Sequence, residues 1–105
     1  MTAEESIAEM TRRIVERFAP QRVLLFGSHA RGDASPESDV DLLVVLTGPI
    51  DKRASTLAIR RALRDLPVCK DVVVTTPEEI AERGDLVGTV LRPALREGRV
   101  LYERA

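Results

Sequence analysis

Apolar positions follow two patterns along this chain, helical spacing and short continuous runs, and turn-forming residues separate one from the next. Between Ala3 and Phe18, the residues Ile7, Met10, Ile14, Val15 and Phe18 share one face, Glu and Arg fill the others, and Pro20 closes the pattern. This predicts an amphipathic helix laid on a core. Arg22-Val23-Leu24-Leu25-Phe26 then reads as a strand that stops at Gly27-Ser28. A second apolar run, Val40 to Leu46, follows a stretch rich in turn formers: Gly32, Asp33, Ser35, Pro36 and Ser38. After Thr47-Gly48-Pro49, a helical pattern passes through Leu57, Ala58, Ala62, Leu63 and Leu66, with Arg60, Arg61, Arg64 and Asp65 opposite. Such charges usually form a solvated face, and a basic helix face also suits the docking of an acidic partner.

The third run, Lys70-Asp71-Val72-Val73-Val74-Thr75, predicts another strand. Thr76-Pro77-Glu78-Glu79 has the form of a capping box, with Thr76 as N-cap and proline at the first helical position, so a short helix should run to about Arg83 and stop at Gly84. A further helix is expected from about Asp85 to near Gly98, using Leu86, Val87, Val90, Leu91, Ala94 and Leu95 and kinked or split by Pro93. Arg99-Val100-Leu101-Tyr102-Glu103 closes the chain as a short strand. Strands and helices interleave, which predicts an α/β (α+β) class, a β-sheet flanked by helices, in one domain spanning residues 1–105.

Composition narrows the function. The chain is 44% apolar and 31% charged, as an ordinary globular protein is. A formal net charge of −1 supplies no basic field for gripping long nucleic acid, and only Phe18, Phe26 and Tyr102 could stack on bases. A nucleoside triphosphate needs only a local positive site. The sole cysteine, Cys69, rules out an internal disulfide and reads as a packed small hydrophobe. No apolar run reaches membrane-spanning length and the acidic start Met1-Thr2-Ala3-Glu4-Glu5 is no signal peptide, so a cytoplasmic protein with no membrane association is expected.

The candidate chemistry lies between the first two strands. A strand that ends in Gly27-Ser28 and turns into a helix points its first N–H groups outward, where they and the helix dipole favour phosphate. Ten residues separate Ser28 from Asp39, and Asp41 lies two beyond it, so if Val40 to Leu46 is a strand both carboxylates project from one face. Two carboxylates about 6 Å apart repel by roughly 3 kcal/mol at an effective dielectric near 20, which a cation relieves. Magnesium is the expected one, since it takes oxygen ligands and shares its coordination with water and phosphates. If the third strand lies beside the second, Asp71 faces the same pocket and completes a two-metal site or accepts a proton from an attacking hydroxyl.

These residues resemble the nucleotidyltransferase superfamily typified by DNA polymerase beta, and more closely its smallest members, the minimal nucleotidyltransferases. The matching parts are Gly27-Ser28, the ten-residue gap, Asp39-Val40-Asp41 and Asp71, with the Gly-Ser-x-Ala-Arg-Gly wording at 27–32 typical of the small prokaryotic branch. The resemblance implies a mixed β-sheet of the polymerase beta-like palm fold and nucleotidyl transfer: an acceptor hydroxyl attacks the α-phosphate of ATP, or another nucleotide, and pyrophosphate leaves. It assigns two Mg2+ ions to Asp39, Asp41 and Asp71, and the triphosphate tail to Gly27 and Ser28. Arg31 suits either the triphosphate or nearby Asp33, His29 reads as a lining residue of the turn, and Tyr102 as a half-buried strand residue. Larger members grip their acceptors with extra domains, and none is expected within these 105 residues. The resemblance therefore implies an acceptor with its own binding surface: a HEPN-domain toxin, silenced by AMP on a tyrosine in a hetero-oligomeric pair. The rival expectations are transfer to a small molecule such as an aminoglycoside, and an antitoxin that blocks its partner by contact alone.

Overall fold

In the computed structural model, which describes residues 1–35, 37–84 and 91–104, the first helix, α1, spans Ala3–Phe18. A capping box closes its first turn: Thr2 Oγ1 accepts from the Glu5 N–H at 3.1 Å, and Glu5 Oε1 accepts from the Thr2 N–H at 2.9 Å. The acidic start of the chain is thus a helix cap, with Glu4 and Glu5 in the first turn where the dipole favours them. At the other end Ala19 takes a left-handed conformation, φ 45°, just ahead of Pro20.

The remaining elements are β1 (Arg22–Phe26), α2 (Ser28–Arg31), β2 (Val40–Val45), α3 (Lys52–Leu63), β3 (Lys70–Thr75), α4 (Pro77–Arg83), α5 (Leu91–Glu97) and β4 (Arg99–Glu103). The fold is α+β, a mixed four-stranded sheet of order β3-β2-β1-β4 flanked by helices. β1 pairs antiparallel with both β2 and β4, and β2 pairs parallel with β3. A parallel pair cannot be joined by a hairpin, so α3 forms the crossover between β2 and β3.

Both sheet faces are covered. On one, Val23, Leu25, Leu42, Val44, Val72 and Val74 pack with Ile7, Met10 and Ile14 of α1 and Ile59 and Leu63 of α3. On the other, Leu24, Leu43 and Val45 pack with Leu91 and Ala94 of α5. A central strand covered on both sides has no polar alternation, and so β2 reads as a continuous apolar run. Its one acidic position, Asp41, shares parity with Leu43 and Val45 and therefore belongs to the α5 side. Among the described residues no helix is long and apolar enough to cross a membrane.

Several boundaries differ from the sequence reading. β2 stops at Val45, although the Leu46 N–H still donates to Thr75 O at 2.9 Å. Thr76 does cap α4, its hydroxyl accepting from the Glu79 N–H at 3.1 Å, but the reciprocal half of the box is absent. The Glu79 carboxylate is drawn instead to Lys52 Nζ at 2.8 Å and to the Thr75 hydroxyl at 2.6 Å, because a charged donor outbids a backbone amide. Cys69 is exposed rather than packed: the chain is still entering the edge strand there, and the apolar neighbour that reaches the core is Val68. Pro93 stands inside α5, which runs unbroken from Leu91 to Glu97. The part of that helix expected over 85–90 lies outside the described residues.

α1 is tied to the end of α3 through Arg13, which bonds Glu9 Oε2 at 2.8 Å, Ala62 O at 2.9 Å and Asp65 Oδ1 at 2.6 Å. Hydrogen bonds from Arg12 first, then from Arg13, bring the Glu9 carboxyl down to about 2 from its ordinary 4.5. A carboxyl lowered by folding stabilises the fold above its unfolded value, and that support is lost as the pH falls through the folded one. The unfolding temperature should therefore drop between pH 4.5 and about 2, and should drop less steeply in Glu9→Gln when followed by circular dichroism.

Candidate active site

The register of the sheet builds the site. Asp41 of β2 lies opposite Phe26, the last residue of β1, and opposite Asp71 of β3, so the two carboxylates belong to the same face. Asp39 sits one residue ahead of β2, exposed, with the same parity as Asp41. Gly27 follows β1 directly with φ 76°, a left-handed value that side chains disfavour. A Cβ there would collide with Asp41 Oδ2. The bare backbone of the turn and the Asp41 carboxylate are thus in direct contact, and only glycine permits it.

Gly27 is the N-cap of α2, and the Ala30 and Arg31 amides both donate to its carbonyl at 3.1 Å. Within so short a helix the Ser28 and His29 amides find no acceptor inside it. His29 Nε2 donates to Ser38 O at 3.2 Å, the carbonyl fixing which nitrogen carries the proton, and this bond joins α2 to the segment that leads into Asp39. Arg31 bonds Asp33 Oδ2 at 3.3 Å and reaches Glu97 Oε2 at 3.5 Å. Of its two expected partners, the one in place is Asp33. Asp71, half-exposed, is paired with Arg60 Nη2 of α3 at 3.3 Å.

Electrostatically the site carries an excess of negative charge. Burial holds the Asp41 carboxyl above its ordinary 3.8, and the charges of Asp71 and then Asp39 push it further, while His29 and Arg31 pull the other way. A group raised by its neighbours marks a place that would gain from a bound cation. Among the described residues no three His, Cys, Asp or Glu side chains are gathered into a ready ligand set.

The arrangement therefore joins glycine backbone, helix amides and three acidic side chains at the ends of β1, β2 and β3. Against this geometry, the family profile described as "Nucleotidyltransferase domain" matches residues 7–101. The chain belongs to the nucleotidyltransferase domain family. The match runs from Ile7 in α1 to Leu101 in β4 and so takes in Gly27, Asp39, Asp41 and Asp71. A protein of Methanocaldococcus jannaschii named "putative protein adenylyltransferase" is 31% identical to this nucleotidyltransferase over 104 residues, covering 97% of this chain and 100% of its own. Among solved structures, a "putative nucleotidyltransferase" from Sulfolobus solfataricus superposes with a TM-score of 0.68 at 21% identity over 95% of this chain and 79% of that one. A toxin-antitoxin complex with AMP-PNP superposes at 0.53 and 21% identity, covering 98% of this nucleotidyltransferase and 75% of that chain. A mutant of the toxin-antitoxin pair MntA-HpeT gives 0.54 and 19% over the same shares. At such identities the structures establish the shared fold.

Three contacts of this nucleotidyltransferase were not legible from its sequence: His29 with Ser38, Arg31 with Glu97, and Arg60 with Asp71. The partners are far apart in the chain or separated by turns, and no periodicity links them. Tyr102 is half-buried in β4, opposite Val23 and against the core, as its strand position implied.

Proposed function

We propose that this chain is a magnesium-dependent protein adenylyltransferase that silences a partner toxin by moving AMP from ATP to a tyrosine hydroxyl of that partner. The observation that carries the reading is the Gly27 bend seated against Asp41, with Asp71 at the same level of the next strand. The raised Asp41 carboxyl fits a cation at this point, since burial and the charges of Asp71 and Asp39 all act against its ionised form. Asp39, Asp41 and Asp71 would hold one or two Mg2+ ions, whose charge would polarise the α-phosphate and neutralise the departing pyrophosphate.

The chain's own residues do the rest. The turn at Gly27 and Ser28 would hold the triphosphate tail, its glycine letting the Asp41 carboxylate sit against the backbone and Ser28 adding a hydroxyl to the first amides of α2. Arg31, exposed, can exchange its carboxylate partners for phosphate oxygens at little cost, because such surface pairs are worth only about 0–1 kcal/mol. Asp71 is placed to take the proton of the acceptor hydroxyl as that oxygen bonds to the α-phosphorus and the bond to the β-phosphate oxygen breaks. The relative named as a protein adenylyltransferase and the toxin-antitoxin neighbours support a protein acceptor. A HEPN-domain toxin in a cytoplasmic pair is the partner we assign.

The test uses the purified chain, Mg2+, the product of the neighbouring gene as candidate partner, and ATP labelled at either the α- or the γ-phosphate. The α-label should remain on the partner and the γ-label should leave as pyrophosphate. A partner neutralised without acquiring α-label would point to inhibition by contact alone. Label found only on a small hydroxyl compound such as an aminoglycoside would overturn the protein acceptor.

A further inference from the structure

The outward face of α3 has no role in the chemistry above, yet its make-up is unlike the rest of the surface. Lys52, Arg53, Arg60, Arg61 and Arg64 fall within residues 52–64, which contain no Asp or Glu, in a chain whose net charge is −1. At helical spacing Arg53, Leu57, Arg60 and Arg64 line up in one row, because steps of four, three and four residues return to the same side. Leu57, in the middle of the row, is 45% exposed, one of three large hydrophobic residues that the described part of the chain leaves in solvent.

The row belongs to the helix on the sheet face opposite Asp41, and it reaches the active site around the β3 edge through Arg60. Arg60 is bonded to Asp71, and Arg60, Arg64, Cys69 and Lys70 line an open cleft of about 440 Å³ beside it. β3, which carries Asp71, is the edge of the sheet, so nothing in the order of strands lies beyond it. Arg53 and Arg64 have no ion-pair partner among the described residues.

We propose that this face of α3 is the docking surface for the protein acceptor, and that the segment it receives is acidic with an apolar side chain at its centre. The inference rests on the transfer reading of the site it adjoins. A run of arginines in a chain of slightly negative total charge is matched by carboxylates, and the charge steers encounter as well as register. The exposed leucine decides against a nucleic-acid backbone, to which it offers nothing, and the row has no aromatic ring on which bases could stack. Its position next to Asp71 brings a bound segment alongside the carboxylate that receives the hydroxyl proton.

The probes are fluorescent copolymers of glutamate with tyrosine and of lysine with tyrosine, oligouridylate RNA, and N-acetyltyrosinamide as a small acceptor. Wild type should bind the acidic copolymer and, with Mg2+ and α-labelled ATP, label it in preference to the basic one. The variant Arg53→Glu/Arg64→Glu should bind the acidic copolymer about tenfold more weakly and show a correspondingly higher KM for it. Transfer to N-acetyltyrosinamide should be unchanged, as should the circular dichroism of these exposed substitutions. Reversal of charges elsewhere, Arg17→Glu/Arg83→Glu, should leave the preference intact. Equal labelling of both copolymers, equal loss in the control variant, or tighter binding of the RNA would overturn the proposal. If wild type labels none of the acceptors, the transfer reading fails, and binding of the acidic copolymer, measured by anisotropy in the three proteins, still decides the surface.

Discussion

Asp41→Asn should reduce AMP transfer by about 10³-fold or more while leaving the folded protein at least as stable as before. On the proposed function Asp41 is a ligand of the cation, so its loss would remove several kcal/mol of charge stabilisation from the transition state, and each 1.4 kcal/mol is about tenfold in rate. Stability moves the other way. Burial, with the charges of Asp71 and Asp39, holds the Asp41 carboxyl above its ordinary 3.8. A carboxyl raised by folding supports the fold below its unfolded value, and that support disappears as the pH rises through the folded one. At neutral pH the ionised group is therefore a burden on the apo protein, and the amide lifts it. The measurements are the rate of label transfer and the unfolding temperature at pH 7, with and without Mg2+. Added Mg2+ should raise the wild-type unfolding temperature and should have little effect on Asp41→Asn. A variant as active as wild type, or one that unfolds well below it, would remove Asp41 from the centre of the site.

Gly27→Ala should lose both activity and stability, which distinguishes it from the first substitution. The residue adopts φ 76°, and a side chain there would strike Asp41 Oδ2. Strain in a left-handed conformation costs about 1–3 kcal/mol in stability. Displacing a positioned group by about 1 Å can cost on the order of 10²-fold in rate. The collision part of the loss depends on the carboxylate, so Gly27→Ala combined with Asp41→Ala should be less destabilised than the sum of the two changes. Additive losses in that cycle would show that the alanine meets no resistance from Asp41.

Much of the sheet could be read before any coordinates, because strands capped by Gly-Ser, by turn formers and by Thr-Pro announce their own ends. β1, β3 and β4 fall where the apolar runs placed them. The two-residue period of a strand puts Asp39 and Asp41 at positions of the same parity, though β2 begins only at Val40 and leaves Asp39 exposed ahead of it, and the placing of Asp71 opposite Asp41 depended on strand order, which no local pattern specifies. The cap on α1 was hidden in residues read only for charge, although Thr2 and Glu5 have the required spacing. The missing half of the α4 cap is a tertiary effect, since Lys52 comes from a different helix. Cys69 was misjudged from its apolar neighbour, where the deciding fact is its place ahead of an edge strand.

The central place of β2 has a consequence for how the protein would take up deuterium. Its amides are held by β1 on one side and β3 on the other, and such backbone opens only with the whole molecule. Protection should fall away abruptly at Asp39, where the ladder ends, so the acidic pair straddles the border between the slowest-exchanging backbone and one of the fastest.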